Sequence, residues 1–306
     1  MEGYSAKAKD EIVRLSSQLA CCRRAFLSAL VHTGGSLVFS REGMRIAFPT
    51  LSDKLSSKVS TIVSGLIEGV NTKKDSTGFY LTGDKLLEAL FALGIFTSEG
   101  EETAVVEGVK PFIVSSDCCA VNYLRGAFLG CGSVTLKKGY HLEFPLSNTT
   151  LARDVVNIFA RFSITAKVVE RKEKAVVYLK GGEAVSDGLA LLGATEAVLE
   201  LNNQLALRQF RSDTNRRNNC ELGNISKTVN ASMRHVEDIK LIKRKIGIAS
   251  LNEKLQMVAE VRLDYPEDSL SELSARVGLN KSTLKNRLVK IEKIANEIRE
   301  KEKSKR

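Results

Sequence analysis

A dense run of cationic and hydrogen-bonding side chains lies near the end of the chain. Asn and Arg side chains can make paired hydrogen bonds with adenine and guanine, whereas Lys and Ser suit the phosphates of a nucleic-acid backbone. Such a run could bind double-stranded DNA if a scaffold presents it to the major groove. Its members are Asn280, Lys281, Ser282, Thr283, Lys285, Asn286, Arg287 and Lys290.

The residues around this run have the pattern of a helix-turn-helix. Gly278 permits a left-handed turn, and Asn280 can cap the helix that follows. Apolar residues at helical spacing on both sides of the turn predict two buried stripes. They are Leu273 and Val277 before the turn, Leu279 at its corner, and Leu284, Leu288 and Ile291 after it. A helix from Asn252 to Asp264, ended by Pro266, would complete a three-helix core. A three-helix module that binds a protein partner has the same pattern, so the DNA-binding prediction rests on turn, cap and charge together.

A second polar segment precedes this module. Residues 201–250 are predicted to form a basic helical connector rich in Asn and Arg, whereas a flexible linker would favour Gly, Ser, Pro or Glu. Its side chains could contact phosphates or dock one domain on another, or they could be the solvated face and caps of a helix, and the sequence leaves both interpretations open. The residues concerned are Asn215, Arg216, Arg217, Asn219, Asn224 and Lys227.

Positive charge is concentrated in the last third of the chain. The 306 residues carry a formal net charge of +10. Residues 208–245 and residues 281–306 each contain ten Lys and Arg against four acids, whereas residues 1–207 contain 23 basic and 22 acidic residues. Phosphate contacts need clustered cations, so a nucleic-acid partner would be held by the C-terminal third.

Six cysteines occur, four of them in the adjacent pairs Cys21-Cys22 and Cys118-Cys119. So few cysteines in a chain this long do not make a disulfide framework. The pairs lack the Cys-x-x-Cys spacing that suits a tetrahedral zinc ion, so we interpret the cysteines as small buried hydrophobes, with a metal or redox pair as the alternative. The sequence shows no phosphate-binding glycine loop, nucleophile elbow or zinc motif. It therefore predicts no metal, no cofactor and no catalytic residue.

The two cysteine pairs begin two copies of one sequence segment. Cys118 follows Cys21 by 97 residues, and the residues downstream keep nearly the same interval. The repeats span about 21–96 and 118–194, and each is predicted as helix, two strands, helix, two strands, helix. A repeat of this length has the size of a small domain rather than of a solenoid unit.

The chain is predicted to consist of four regions. They are an N-terminal helix in residues 1–20, a duplicated αββαββα domain in residues 21–200, the connector in residues 201–250 and the helix-turn-helix domain in residues 251–306. The predicted fold class is thus α+β, followed by an all-α domain. No apolar run approaches the ~20 residues that cross a bilayer, so we expect no membrane contact and a cytoplasmic, nucleoid-associated protein.

The first helix of each repeat carries small residues on one face, so the two helices could pack closely as a central seam. Residues Leu27 to Gly35 and Leu124 to Gly132 resemble the LAGLIDADG motif of homing endonucleases. The resemblance implies a duplicated LAGLIDADG-like domain in which an acid before each final glycine binds the catalytic metal ion. That position is Gly34 in the first copy and Cys131 in the second, and neither is a carboxylate. We therefore expect the seam to have lost nuclease chemistry.

The degenerate duplication, the Asn- and Arg-rich connector and the helix-turn-helix together resemble the WhiA family of bacterial proteins. Lys281-Ser282, Arg287-Leu288 and Lys290 match the recognition helix of that family, whereas the turn Val277–Asn280 is shorter than the proline-containing turn of many relatives. The resemblance implies a non-catalytic, sequence-specific DNA-binding regulator of cell division, chromosome segregation and, in spore formers, sporulation. The alternatives are a metal-dependent endonuclease and a scaffold whose front domain recruits another transcription regulator.

Overall fold

The structure, a computed structural model, describes residues 3–40, 43–99, 102–136, 139–171 and 174–303. Its contacts divide the chain into two compact units, one ending at Leu207 and the other beginning at Arg208. The first unit combines helices with antiparallel sheets and the second is helical, which confirms the predicted fold class. Within the described residues, no helix has both the length and the apolar character that crossing a membrane requires.

The first unit begins with α1 (Tyr4–Arg14) and the first repeat. The repeat comprises α2 (Ala20–Gly34), β1 (Ser36–Ser40), β2 (Gly43–Phe48), α3 (Asp53–Leu66), β3 (Asn71–Asp75), β4 (Gly78–Thr82) and α4 (Leu86–Ala92). α1 is shorter than the predicted helix of residues 1–20. The hydroxyl of Ser17 accepts a hydrogen bond from the Leu19 amide at 3.3 Å, and such local bonds compete with helix continuation.

A hairpin that the sequence pattern does not predict lies between the repeats. It consists of β5 (Phe96–Glu99) and β6 (Glu102–Val105), with Phe96 opposite Val105. Acidic residues are depleted in strands, and each strand here has only four residues, so the segment lacks the alternation that identifies a strand. A 3-10 turn at Pro111–Val114 then leads into the second repeat.

The second repeat has the same elements in the same order as the first. They are α5 (Asp117–Gly130), β7 (Ser133–Thr135), β8 (His141–Leu146), α6 (Thr149–Arg161), β9 (Lys167–Arg171), β10 (Lys174–Lys180) and α7 (Gly182–Leu192). The two four-stranded antiparallel sheets have the matching strand orders β1-β2-β4-β3 and β7-β8-β10-β9. This shared topology confirms the predicted duplication.

The motif helices α2 and α5 pack together as the seam of the first unit, as predicted. Their small residues make this approach possible, because a Cβ atom on Gly126 would lie 2.2 Å from the carbonyl oxygen of Phe26. Only glycine can occupy such a position without moving the neighbouring backbone. Leu27, Leu30, Tyr123 and Phe128 are buried along the same two helices.

The second unit is built from the part of α8 (Thr195–Lys245) that begins at Arg208, together with α9 (Glu253–Asp264), α10 (Leu270–Arg276) and α11 (Lys281–Lys303). α8 begins in the first unit, where Leu201 is buried, and its last turns bury Ile239 and Ile242 in the second core. The core of the second unit therefore contains the last turns of α8 in addition to the three predicted helices. The omission arises because these two isoleucines lie in a strongly basic segment that was interpreted as connector.

Candidate nucleic-acid interface

Local hydrogen bonds fix the turn between α10 and α11. α10 begins with a capping box, in which the Ser269 amide donates to Glu272 Oε2 at 2.8 Å and the Glu272 amide donates to Ser269 Oγ at 3.3 Å. The backbone of Gly278 has φ 62°, in the left-handed region that favours glycine. α11 begins after Asn280, whose Oδ1 accepts a hydrogen bond from the Thr283 amide at 2.7 Å. Both the predicted turn and the predicted cap are confirmed.

Five of the eight residues in the predicted DNA-binding run are exposed on α11. They are Lys281, Ser282, Lys285, Asn286 and Lys290. The other side of the same helix buries Leu284, Leu288 and Ile291, which anchor it to the core of the second unit. Lys281 and Ser282 lie in the first turn of α11, where free backbone amides and the helix dipole favour an anion, and Lys285, Asn286 and Lys290 lie in the next two turns.

The remaining three residues of the run have structural contacts. Thr283 is half-buried, and its amide donates to the capping side chain of Asn280. Arg287 is also half-buried, and its Nη1 donates to the carbonyl oxygen of Lys254 on α9 at 3.3 Å. The structure thus gives local contacts to Asn280, Thr283 and Arg287, although Asn280 is also exposed, and leaves the other five residues of the run facing solvent.

Arg262 on α9 is a fixing residue that the sequence interpretation missed. Its side chain is 1% exposed, and Nη1 donates to the carbonyl oxygens of Asp268 at 2.7 Å and Tyr265 at 3.3 Å and to Ser232 Oγ at 3.1 Å. Burial lowers the pKa of this guanidinium. The contacts hold the loop that leads into α10. Its position between the apolar residues Val261 and Leu263 is the sequence feature that could have indicated a buried arginine.

The six connector residues lie in α8 and are all exposed. Residues four apart share a helix face, which places Asn215 beside Asn219. Arg217 and Asn224, about two turns apart, share another face. The six residues are therefore distributed around the helix and are not brought together on one surface. Exposure is compatible with both a solvated face and phosphate contacts, so both interpretations stay predictions.

The seam ends at the two positions where the LAGLIDADG motif would carry its acids. Gly34 has no side chain, and Cys131 is a half-buried thiol whose pKa burial raises to about 12. Near this end, burial lowers the pKa of His32 to about 4, and its Nδ1 lies 3.1 Å from the hydroxyl of Tyr123. Mg²⁺ prefers carboxylate and carbonyl oxygens, so neither motif position offers it a side-chain ligand.

The interpretation of the cysteines as buried hydrophobes is correct for Cys22 and Cys119 only. Cys21, Cys118 and Cys220 are exposed, and Cys131 is half-buried. The sequence interpretation treated both cysteines of a pair alike. Neighbouring residues on a helix point about 100° apart, so they cannot both face the core. Each pair therefore presents one thiol inward and one outward.

Comparisons with known proteins match both halves of the chain to one family. The family model of the WhiA LAGLIDADG-like domain matches residues 120–211, and that of the WhiA C-terminal HTH domain matches residues 214–295. A probable cell division protein WhiA of Brevibacillus brevis is 34% identical over 98% of this chain and 98% of its own length. The chain belongs to the WhiA family. A second WhiA relative, from Clostridium acetobutylicum, is 36% identical over 97% of this chain and 98% of its own length.

The fold also matches a solved WhiA structure. The crystal structure of full-length DUF199/WhiA from Thermotoga maritima has a TM-score of 0.57 with this chain at 24% sequence identity, covering 97% of this chain and 99% of that one. This likeness shows a shared fold. The LAGLIDADG-like WhiA model covers the second repeat of the present chain and not the first, although the two repeats have the same sheet topology.

Proposed function

We propose that this WhiA protein is a non-catalytic, sequence-specific DNA-binding regulator that acts in cell division. The observation that carries the proposal is the exposed, capped N-terminal part of α11, which presents Lys281, Ser282, Lys285, Asn286 and Lys290 to solvent. In a helix-turn-helix, this part of the second helix contacts base edges in the major groove. The relatives' name as cell division proteins supports the cellular role.

Within this interface, the exposed side chains have different tasks. Asn286 is suited to paired hydrogen bonds with adenine, whereas Lys281, Lys285 and Lys290 supply cations for phosphates. The excess of basic residues in 208–245 and 281–306 adds long-range attraction for a polyanion. Asn215, Arg216, Arg217, Asn219, Asn224 and Lys227 are proposed as additional phosphate or interdomain contacts.

The proposal excludes nuclease activity because of the residues at the end of the seam. A two-carboxylate metal site is the chemistry that would position Mg²⁺ between water and phosphate. Gly34 and the neutral thiol of Cys131 provide no such ligand. The near-neutral first unit instead suits a protein partner, which we propose to be another transcription regulator. Nucleoid association, and roles in chromosome segregation and sporulation, are the finer parts of the same proposal.

The test is selection of bound duplexes from a random-sequence pool by the full chain. We expect the unchanged protein to enrich one sequence. A control variant with Lys73→Ala on β3 and Asn203→Ala on α8, both at exposed residues, should enrich the same sequence. The matched variant with Lys285→Ala and Asn286→Ala should enrich none. Equal enrichment by both variants would contradict the proposed interface. A product cut in the presence of Mg²⁺ or Mn²⁺, made by homogeneous protein, would contradict the non-catalytic assignment.

A further inference from the structure

Four thiols meet at the start of the seam, at the opposite end of the motif helices from Gly34 and Cys131. Cys21 and Cys22 are the second and third residues of α2, and Cys118 and Cys119 are the second and third residues of α5. The duplication therefore places one pair on each repeat at equivalent positions. Because α2 and α5 pack together, the two pairs come together, and we call these four residues the thiol cluster.

The distances among three members of the thiol cluster suit a single metal ion. The Sγ atoms of Cys21, Cys22 and Cys119 all lie within 4.8 Å of one another. Sulfur ligands about 2.3 Å from a tetrahedral Zn²⁺ lie roughly 3.8 Å apart, so only a small contraction is needed. The fourth thiol, Cys118, lies outside this group of three. It interacts with Cys22 and Cys119, and its Sγ lies 3.2 Å from the hydroxyl of Ser116.

The thiol cluster lies at the N-terminal ends of two helices and near one cationic side chain. All four residues lie in the first turns of two helices, where the helix dipole stabilises negative charge. The guanidinium of Arg125 is close enough to Cys22 for the two to interact electrostatically.

Packing alone does not explain this arrangement. Two of the four thiols, Cys21 and Cys118, are exposed and fill no core volume. The Sγ atoms of Cys21, Cys22 and Cys119 also lie close to one another, whereas a disulfide bond would need only two of them. Thiolate ligands in a tetrahedral set select Zn²⁺ over the hard cations Mg²⁺ and Ca²⁺.

We propose that Cys21, Cys22, Cys118 and Cys119 bind one Zn²⁺ ion that joins the two repeats at the start of the seam. The site is independent of the DNA interface, because its residues belong to the first unit. Its role is structural, since four protein ligands leave no open position for a substrate or water. Zn²⁺ would thus replace, at one end of the seam, the metal that LAGLIDADG nucleases hold at the other.

Cobalt substitution of the full chain tests the site. Reduced protein titrated with Co²⁺ should show sulfur-to-cobalt charge-transfer absorption and the visible bands of tetrahedral Co²⁺, saturating at one ion per chain. Zn²⁺ should then displace the Co²⁺ and abolish these bands. Absence of charge-transfer absorption at saturating Co²⁺ would overturn the proposal.

The variants separate the cluster from the other cysteines. Cys21→Ser with Cys118→Ser changes only exposed thiols, so the fold should persist by circular dichroism while Zn²⁺ affinity falls by more than about 100-fold. Cys220→Ser, at an exposed thiol on α8, should leave the spectrum and the affinity unchanged. Unchanged affinity in the double variant, or an equal loss in Cys220→Ser, would overturn the assignment.

Discussion

A Cβ atom on Gly34 would lie 3.2 Å from the Cα atom of Gly130, so the two motif helices touch backbone to backbone where the seam ends. This distance is tighter than ordinary van der Waals contact and leaves little space for a side chain. Gly34 occupies the position where the LAGLIDADG motif carries an acid. An aspartate there would need the Gly130 backbone to give by a few tenths of an ångström, so restoring the carboxylate by substitution would also disturb the close contact of the two helices.

Gly126→Ala should destabilise the first unit. The added Cβ would meet the carbonyl oxygen of Phe26 at 2.2 Å, and a backbone atom inside a packed seam cannot move aside cheaply. We expect a loss of about 1 to 3 kcal/mol in the free energy of unfolding, measured in urea. The matched control is Gly223→Ala, at an exposed site on α8 with nothing within 4 Å, which should stabilise by up to about 1 kcal/mol. Equal effects of the two substitutions would contradict the close seam.

Arg262→Ala should destabilise the second unit by about 3 kcal/mol, because it removes the donor of three hydrogen bonds, one of them buried and two partly buried. Thermal unfolding followed by circular dichroism measures the loss. Arg216→Ala, at an exposed residue of α8, should change stability by no more than about 0.5 kcal/mol. An Arg262→Ala protein as stable as this control would show that the loop before α10 does not depend on the arginine.

Asn286→Ala should reduce sequence preference more than overall DNA affinity. The exposed amide can contact a base edge, and its loss should cost about 1 to 3 kcal/mol on the selected duplex and much less on a scrambled one. Fluorescence anisotropy with both duplexes measures the difference. Asn203→Ala is the matched control and should leave the preference intact. The same loss on both duplexes would assign Asn286 to the phosphate backbone instead.

Lys285→Ala should weaken binding to all duplexes by a similar factor. An exposed lysine on α11 is suited to a phosphate, and removing one phosphate contact should reduce the slope of log K against log salt by about 1. Titrations at several salt concentrations measure that slope. Lys73→Ala on β3 should leave it unchanged, and an unaltered slope for Lys285→Ala would remove this lysine from the interface.

Stability of the first unit should fall as the solution is acidified, partly through His32. Burial lowers the pKa of His32 from 6.5 to about 4. Between these two pH values the imidazole is therefore protonated in the unfolded state and neutral in the folded state. The contribution of the neutral imidazole is complete above pH 6.5 and is lost as the pH falls towards 4, by roughly 2 to 3 kcal/mol in total. His32→Gln should flatten this decline in urea unfolding, whereas His141→Gln should retain it. A decline of the same size in both variants would place its origin elsewhere.

Local patterns predicted much of this fold. The repeated register predicted two equivalent sheets, and the small residues at Gly126 and Gly130 predicted a close helix pair. The sequence also predicted the turn at Gly278 and the cap at Asn280, because both depend on backbone chemistry within a few residues. These features are short-range or periodic, which is why they can be predicted without a structure.

Features that depend on distant partners could not be predicted in the same way. Arg262 lies in a helix pattern that gives no indication of its acceptors, which are Ser232, Tyr265 and Asp268. Arg287 belongs to the recognition-helix pattern, yet its guanidinium contacts α9, whose position the local sequence does not specify. The thiol cluster arises only when two segments 97 residues apart are packed side by side.

Both repeats lie in one chain, so each half of the seam can change without the other. In an assembly of two identical subunits, every substitution would appear in both subunits, so a destabilising change would affect both halves of the seam. Here glycine stands at position 34 and cysteine at the equivalent position 131, while both halves keep paired cysteines at the start of their helices. Because both halves belong to one chain, they can differ at one end of the seam and match at the other.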